Sequence, residues 1–337
     1  MRHKPHKTVN IGFTSIGRRV ELVRAFRNAY RTLKLEGNLV GMDIDPLAPA
    51  LRLADKRYLV PPFQSSEYIP ALLDICKKES IHSLFPLIDP DIPLLAKNKL
   101  LFQEAGTFVA VVPFRAAEIC SDKYQTTKFF QDLGLYVPWT LLPGDLQQSD
   151  LSFPVFIKPR AGSASQNAFR AHDSHELSLF LKTAPDPVIQ ECLPGPEITT
   201  DVICDLDGNL LGVVSRRRLE VRMGEVSKAM TVFDQTILDG CVKIARELPA
   251  IGAITVQCMM KGADPYFTEI NARFGGGSPL GIAAGVDSPR WLLARMAGIP
   301  LQLPALGEYE KGLYMTRCDE SFFLTESERE DISGRYL

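Results

Sequence analysis

The regular alternation of apolar strands with amphipathic helices in the first 120 residues constrains the fold of this chain most strongly. Predicted strands lie at 8–14, 39–43, 58–60, 83–87 and 108–112, and predicted helices lie at 18–34, 68–79 and 92–104. Strands that alternate with helices form parallel sheets, because each helix carries the chain back across the sheet. The sequence therefore predicts an α/β fold, with a doubly wound parallel sheet in an N-terminal domain at 1–115.

Two polar patterns in this part of the chain each allow a ligand site and a simpler structural interpretation. Gly12 and Gly17, followed by Asp43, suggest a dinucleotide site, but their spacing departs from G-x-G-x-x-G, so a tight turn without a ligand is preferred. Asp89 and Asp91, at a strand end, either contact a substrate or cap the next helix, and capping is preferred.

Length, charge and cysteine usage exclude several classes of protein. A chain of 337 residues is expected to form two or three subdomains rather than one small core. Its net charge of −2 gives no indication of nucleic acid or anionic membrane as a partner, and no apolar segment is as long as a membrane span. The seven cysteines include no C-x-x-C pair, which argues against a zinc site or disulfide framework and favours the cytoplasm.

A β-hairpin predicted at 253–271 carries the most informative polar residues. Gln257 and Glu269 would lie on its two strands, and Asn271 follows Glu269 at the spacing that keeps both on one face. Such oxygens suit Mg²⁺, which takes few protein ligands and completes its shell with phosphate and water. Arg273 comes next on this face, where a guanidinium could clamp a phosphoryl group or a carboxylate. A metal site and an ordinary hairpin with a polar face both stay open at this point.

Two small-residue segments follow predicted strands that carry polar groups. Three glycines at 275–277 would let backbone N–H groups approach an anion closely. Lys158 lies in an apolar strand at 153–159, where an unpaired ammonium would be costly to bury, which favours a functional role. The Ser/Gly-rich segment at 161–166 either folds over phosphates or forms an ordinary surface loop.

The remaining segments predict hairpins and separate helices, and so an α+β arrangement after residue 115. Strands are predicted at 187–191, 197–206, 210–215 and 312–317, and helices around 121–133, 174–181, 233–248 and 289–296. His172 and His175 flank Asp173 in a pattern typical of a helix N-terminus, which is preferred over a metal cluster. The basic run at 216–218 is either a solvated face or faces a polyanion.

Four of these segments occur in an order that resembles the ATP-grasp superfamily. They are the helix with Lys123, the strand with Lys158 and its loop, the sequence QECLPGPE at 190–197, and the pattern Q-x₁₁-E-x-N-x-R at 257–273. The resemblance covers roughly residues 8–300 and looks closest to the carboxylase and carbamoyl phosphate synthetase large-chain branch. In that branch, glutamine can take one of the two acidic metal positions, as Gln257 would here.

The resemblance implies a domain organisation and a role for individual residues. An ATP-grasp domain at 116–300, with a flap subdomain at about 121–193 and a catalytic subdomain at about 194–300, would follow the pre-ATP-grasp domain and precede a C-terminal strand and tail at 301–337. ATP would be contacted by Lys123, Lys158, Gly162, Ser163, Ser165, Glu191, Leu193 and Glu197. Gln257, Glu269 and Asn271 would hold Mg²⁺ or Mn²⁺, and Arg273 would be catalytic. The candidate substrate contacts are Arg216, Arg218, Lys228, Gly275, Gly276 and Gly277.

The expected function is that of an ATP-dependent ligase, which activates a carboxylate as an acyl phosphate for attack by an amine or similar nucleophile and releases ADP and phosphate. Charge neutralisation and positioning dominate such a transfer, and the sequence contains no Walker A Gly-Lys-Ser/Thr. We expect small-molecule carboxylate and amine partners, no nucleic acid and no membrane, and leave a homodimer open. The alternatives are a regulatory ATP-binding module without catalysis, a carbamoyl-phosphate-synthase-like phosphotransferase subunit, and a dinucleotide-dependent dehydrogenase.

Overall fold

The structure of the protein is a computed structural model that describes residues 8–146, 151–162, 166–222, 224–330 and 332. Within these ranges the strands form one parallel and two antiparallel sheets. Two of the predicted ATP contacts, Ser163 and Ser165, lie outside the described residues. No helix among the described residues has the length and apolar character needed to cross a membrane.

The N-terminal sheet is parallel, as its alternating strands and helices predict. Its strands are β1 (Ile11–Thr14), β2 (Leu39–Asp43), β3 (Lys56–Leu59), β4 (Ser83–Pro86) and β5 (Phe108–Val109), in the order β3-β2-β1-β4-β5. The helices are α1 (Val20–Leu33), α2 (Tyr68–Lys78), α3 (Asp91–Lys97) and α4 (Lys99–Glu104), with a 3₁₀ turn at Pro49–Leu53. The strand order reverses at β1, and ligand crevices of such sheets open at this reversal, beyond the carboxyl ends of the strands.

Both faces of this sheet are covered, which confirms the doubly wound prediction. Ile11 and Phe13 of β1 belong to the same buried cluster as Phe26 of α1. Val40 of β2 belongs to another cluster, which includes Leu72 of α2. Strands buried on both faces read as continuous apolar runs, which is why these segments were recognisable in the sequence.

A small antiparallel sheet follows two helices, α5 (Phe114–Ser121) and α6 (Lys123–Asp132). Its strands are β6 (Thr140–Leu141), β7 (Val155–Pro159), β8 (Phe169–Ala171) and β9 (Pro187–Glu191), in the order β6-β9-β7-β8. A 3₁₀ turn at Pro143–Asp145 follows β6, and α7 (Ser174–Thr183) connects β8 to β9. Asp122 caps α6 by accepting from the backbone N–H of Tyr124 at 2.9 Å, so Lys123 is placed in the first turn of the helix.

A larger antiparallel sheet contains the predicted hairpin. Its strands are β10 (Glu197–Cys204), β11 (Leu210–Arg222), β12 (Glu225–Val232), β13 (Ala253–Lys261), β14 (Asp264–Asn271) and β15 (Tyr314–Thr316), in the order β14-β13-β10-β11-β12-β15. The helices of this part are α8 (Gln235–Glu247), α9 (Ser278–Ala283), α10 (Ser288–Ala297) and α11 (Glu326–Glu330). The hairpin prediction is confirmed, because β13 and β14 pair directly.

An aromatic cluster joins the segment after β14 to the N-terminal sheet. The ring of Phe274 lies 5.8 Å from that of Phe26 on α1 and 6.0 Å from that of Phe85 on β4, and all three side chains are buried. Because buried aromatic pairs contribute both apolar area and a preferred ring geometry, this contact fixes the backbone on either side of Phe274. Arg273 and the three glycines at 275–277 are therefore held against the carboxyl ends of β1 and β4.

Several element predictions were wrong in extent. The strand predicted at 210–215 continues to Arg222, and β12, which pairs with it, was not predicted. The basic and polar residues of this hairpin hide the strand pattern, because from Arg217 onward most side chains of β11 are exposed. The helix predicted at 92–104 is two helices, α3 and α4, that meet at Asn98. The boundaries at 115 and 300 stay predictions.

The preference for capping at Asp91 was also wrong. The Asp91 carboxylate makes no cap contact on α3 and instead accepts hydrogen bonds from Thr14 Oγ1 at 2.7 Å and Ser15 Oγ at 2.9 Å. Burial raises the pKa of this carboxyl group. The tight-turn interpretation of the first strand–helix connection fits better, because Asp43 accepts from the backbone N–H of Gly17 at 2.7 Å.

At the start of α7, the preference for a capped helix over a metal cluster is supported. Asp173 accepts from the backbone N–H of Glu176 at 2.9 Å, and the Glu176 carboxylate accepts from the N–H of His172 at 2.8 Å. Asp173 is therefore the N-cap of α7, and Glu176 reaches back to the residue before the cap, so both acids act on the helix end.

Candidate functional site

A cleft of about 610 Å³ lies where the three sheets face one another, a volume in the usual range for small-molecule sites. Its lining includes most of the residues that the sequence singled out. These are Lys123, Lys158, Gly162, Glu191, Leu193, Glu197, Arg216, Arg218, Gln257, Glu269, Asn271, Arg273, Gly275, Gly276 and Gly277. Residues from distant segments therefore converge on one cavity.

The β13–β14 hairpin presents the proposed metal ligands to this cleft. Gln257 lies directly across from Glu269 in the strand pairing, and Thr255 lies across from Asn271. A β-bulge follows Gln257, and bulges commonly re-aim side chains at a site. One carboxylate and two amide oxygens suit a hard cation only if phosphate oxygens or water complete its shell. The donor set therefore fits Mg²⁺ or Mn²⁺ in the company of a phosphate.

Arg273 connects the hairpin to the N-terminal sheet. Its Nη2 donates to Asp89 Oδ2 at 2.6 Å and to Asn271 Oδ1 at 3.1 Å, and its Nη1 donates to the carbonyl of Phe274 at 3.1 Å. Asp89 lines the cleft, whereas the sequence pattern favours a role as a helix cap. Its partner could not be foreseen, because the two residues are 184 positions apart in the chain.

Two lysines approach the cleft from the α6 and β7 side. Lys123 Nζ donates to the carbonyl of Gly162 at 2.7 Å, which holds its ammonium beside the loop after β7. Lys158 is buried, and burial lowers the pKa of its ammonium to about 8, although the nearby charge of Glu269 opposes this shift. The positive charge of Lys123 contributes to the lowering. Two neighbouring ammonium groups make this end of the cleft favourable for a polyanion.

The two acids predicted to face the nucleoside are both ion-paired. Glu191 accepts from Lys261 Nζ at 2.5 Å, and Glu197 accepts from Arg218 Nη1 at 2.6 Å. The backbone N–H of Glu191 donates to the carbonyl of Trp139 at 3.0 Å, so this N–H is already paired within the protein. Arg218 is thus already bound to Glu197 within the protein.

Arg216 is fixed beneath the glycine segment by a buried acid. Its Nη1 donates to Asp201 Oδ2, and Thr255 Oγ1 donates to Asp201 Oδ1 at 3.3 Å. A Cβ built on Gly275 would lie 2.9 Å from Arg216 Nη2, and one on Gly277 would overlap Arg216 Nε. Glycine is therefore required here by close approach to the guanidinium, rather than by an unusual backbone angle.

Lys228 is the predicted contact that the structure places elsewhere. It lies across from Glu220 in the β11–β12 pairing, and the two exposed side chains form an ion pair at 2.7 Å. It does not belong to the cleft lining. The sequence grouped Lys228 with Arg216 and Arg218 by nearness along the chain, which does not determine the side of a hairpin on which a residue lies.

Arg19 is a cleft residue that the sequence analysis missed. It immediately precedes α1 and lines the same cavity as Arg273 and Gly276. Basic residues are unfavourable at the positive N-terminal end of a helix. An arginine pair, Arg18 and Arg19, at such an end is thus the sequence signal that could have indicated an anion there.

Comparison with known proteins gives two matches to family models. Residues 11–110 match the model described as PylC-like, N-terminal domain. Residues 183–320 match the model described as ATP-grasp in the biosynthetic pathway with Ter operon. The first match contains the parallel sheet, and the second contains the antiparallel sheet with the hairpin residues.

Individual relatives are more distant. A carbamoyl phosphate synthase large chain from Clostridium beijerinckii is 23% identical over 287 residues, which are 79% of this chain and 26% of that protein. The chain thus spans about a quarter of that relative. The biotin carboxylase domain of 2-oxoglutarate carboxylase from Hydrogenobacter thermophilus, solved with MgADP and bicarbonate, has a TM-score of 0.70 at 19% identity, covering 93% of this chain and 74% of that one. N5-carboxyaminoimidazole synthetase from Staphylococcus aureus gives 0.70 at 16% identity, covering 92% and 82%.

These similarities agree with the architecture and with the order of the sequence motifs. The solved structures establish the fold, and the family models cover both the N-terminal and the C-terminal parts of the described chain. The chain therefore has an ATP-grasp fold, in which the N-terminal part matches a PylC-like domain model and the C-terminal part matches an ATP-grasp model.

Proposed function

We propose that this protein is an ATP-dependent ligase that joins a carboxylate to an amine or similar nucleophile. The convergence of Glu269, Asn271 and Arg273 with two lysines in one cleft is the observation that carries the proposal. The γ-phosphoryl group passes to a carboxylate oxygen and ADP leaves, so an acyl phosphate forms. The amine then attacks the acyl carbon, loses a proton and expels phosphate. ATP-grasp enzymes use ATP and Mg²⁺, and their use by this chain is part of the proposal.

The nucleotide would lie along the α6, β7 and β9 side of the cleft. Lys123 and Lys158 would neutralise phosphate oxygens, and Gly162, whose carbonyl accepts from Lys123, would lie beside them. The carbonyl of Glu191 and the backbone of Leu193 would contact the adenine edge. Glu197 would accept hydrogen bonds from the ribose hydroxyls with one carboxylate oxygen. Arg218 holds the carboxylate in place through the other oxygen, Oε1.

Gln257, Glu269 and Asn271 would hold Mg²⁺ or Mn²⁺. When bound, the ion supplies charge neutralisation to the β- and γ-phosphates. The single carboxylate among its ligands leaves a net positive charge to be matched by phosphate oxygens, which favours binding of metal and nucleotide together. Arg273, one side chain beyond Asn271, would stabilise the charge on the transferring phosphoryl group.

A screen for ADP and phosphate release tests the proposal directly. The protein with ATP and Mg²⁺ is offered amino acids, dicarboxylates and small amines, alone and in pairs. We expect ADP release to require an acid and to increase when an amine is present. Release that is independent of every acid, or none with any pair, would count against the ligase. Nucleotide binding without release that is unchanged in Arg273→Ala would favour the regulatory module instead.

Lys158 predicts a pH dependence of nucleotide binding. Its pKa of about 8 means that the ammonium loses its proton as pH rises through 8. The phosphate oxygens of the nucleotide then lose the positive charge that neutralises them. We expect the Kd for ADP to rise above pH 8, by up to about tenfold per pH unit. Calorimetric titrations from about pH 7 to 9.5 measure this. Lys158→Arg keeps its charge over the range and should flatten the profile; a profile that stays steep in this variant would contradict the assignment.

A further inference from the structure

Arg19 follows β1 and contacts the loop after β4, and it lines the same cleft as Arg273. Its Nη2 donates to the carbonyl of Leu87 at 3.3 Å, a long bond to a neutral acceptor. Arg273 reaches Asn271 on one side and Asp89, two residues after Leu87, on the other. Arg19 is therefore a cationic group beside the same loop that holds the partner of Arg273.

The acids near Arg19 are already paired with other arginines. Asp89 is held by Arg273 at 2.6 Å. Glu225 is held by Arg18 at 3.4 Å and by Arg317 at 3.6 Å. Among the described residues Arg19 forms no ion pair of its own, so this corner of the cleft carries an excess of positive charge.

The surroundings of Arg19 make that charge costly in the protein alone. Burial and the nearby charge of Arg273 lower the pKa of its guanidinium to about 10. A half-buried guanidinium with only a weak neutral partner loses hydration that a protein contact does not replace. An incoming anion would restore the lost interactions, because a guanidinium binds a carboxylate through two parallel hydrogen bonds.

Gly276 keeps one side of this guanidinium accessible. A Cβ built on Gly276 would lie 2.9 Å from Arg19 Nη1, so any side chain there would press on the guanidinium. The carbonyl of Gly276 accepts a hydrogen bond from Arg317, which fixes the backbone of the glycine segment from the far side. The glycine segment and the loop after β4 thus both lie next to the Arg19 guanidinium, which lines the cleft.

We propose that Arg19 binds a second carboxylate of the acid substrate, one that is not phosphorylated, so that the substrate is a dicarboxylate or an acidic amino acid. The inference rests on the proposed ligase function. The reacting carboxylate has to lie beside Glu269, Asn271 and Arg273, where the phosphoryl group arrives. The charge of Arg19 in the same cleft is then matched by the second carboxylate, which stays ionised throughout the reaction.

Equilibrium binding of matched acids tests this without requiring turnover. Succinate, glutarate and L-glutamate are compared with butyrate, pentanoate and L-norvaline, which have the same chain lengths but one carboxylate fewer. Calorimetric titration is done with and without Mg²⁺ and a non-hydrolysable ATP analogue. We expect at least one diacid to bind about 10- to 100-fold more tightly than its matched monoacid, the contribution of a charged, paired hydrogen bond.

Arg19→Gln should remove this preference and leave the affinity for the ATP analogue unchanged. Arg19→Lys, which keeps the charge but not the planar fork, should retain part of it and serves if the glutamine variant does not fold. Arg31→Gln, the same change at an exposed site near the other end of α1, is the control that should keep the full preference.

The inference is overturned if monoacids and diacids bind alike to the unaltered protein, including no binding of either, or if Arg19→Gln keeps the preference. If the unaltered protein did not bind the ATP analogue, the proposed ligase function would be contradicted instead. The acid titration without nucleotide tests the role of Arg19 independently of ATP binding. A failure of the Arg19 inference can therefore be distinguished from a failure of the ligase proposal.

Discussion

Replacing Glu269 by glutamine is expected to abolish ADP formation while the protein stays folded. The change keeps the shape of the side chain and removes the only carboxylate among the three proposed metal ligands, which face the cleft from the β13–β14 hairpin. Removing one group that neutralises phosphoryl charge costs on the order of 10³-fold in kcat. We expect a loss of at least this size, measured as ADP release at saturating ATP and Mg²⁺.

The same variant should change a second, independent quantity. The charge of Glu269 helps Lys158 keep its proton, so Glu269→Gln should lower the pKa of Lys158 further and move the loss of ADP affinity to lower pH. Glu220→Gln provides the control, because it makes the same change in an exposed ion pair outside the cleft. If Glu269→Gln retained more than about a tenth of the activity, the metal assignment would be rejected.

Breaking the buried ion pair of Arg216 and Asp201 is expected to have the largest effect on stability. Their side chains are 3% and 4% exposed, on adjacent strands β11 and β10. Asp201→Asn leaves a guanidinium buried beneath the glycine segment without its anion, and loss of one partner of such a pair costs about 3–5 kcal/mol. Urea denaturation should show this as a lower midpoint.

Two comparisons separate the loss of the pair from other effects of the change. The double variant with apolar residues, Asp201→Leu with Arg216→Met, should be less destabilised than Asp201→Asn, because no unpaired charge remains. Glu220→Gln breaks an ion pair whose side chains are about half exposed and should leave the midpoint nearly unchanged. Equal midpoints for Asp201→Asn and Glu220→Gln would show that the buried pair contributes little.

The sequence predicted the strand pairing of the hairpin correctly, because that placement depends on local rules, and the metal-binding role of its residues stays a prediction. Alternation along two short strands and the turn between them are enough to place Gln257 across from Glu269. The strands of the parallel sheet were recognisable for a similar reason, since both of their faces are buried. What a strand pattern encodes is which residues share a face, and this was the information that the metal prediction needed.

The sequence could not predict the contacts that cross between sheets. Asp89 and Arg273 meet only because the cores around Phe274 pack the glycine segment against β4. Arg19 was missed because the arginine pair at the start of α1 was not recognised as unfavourable for a helix N-terminus, and because the cleft that it lines forms only between the sheets. Lys228 was included because nearness in the chain was taken for nearness in space, and its strand register pairs it with Glu220 instead.

The ion pair between Arg273 and Asp89 also determines how the cleft receives an anion. An arriving phosphoryl group or acid meets a guanidinium that already has a carboxylate partner, so its entry is an exchange of one negative charge for another. Asp89 belongs to the loop after β4, and Arg273 follows β14, so the displaced carboxylate frees a tether between the parallel and antiparallel sheets. The buried rings of Phe26, Phe85 and Phe274 would still join the two sheets, so such an exchange would loosen the mouth of the cleft without separating them.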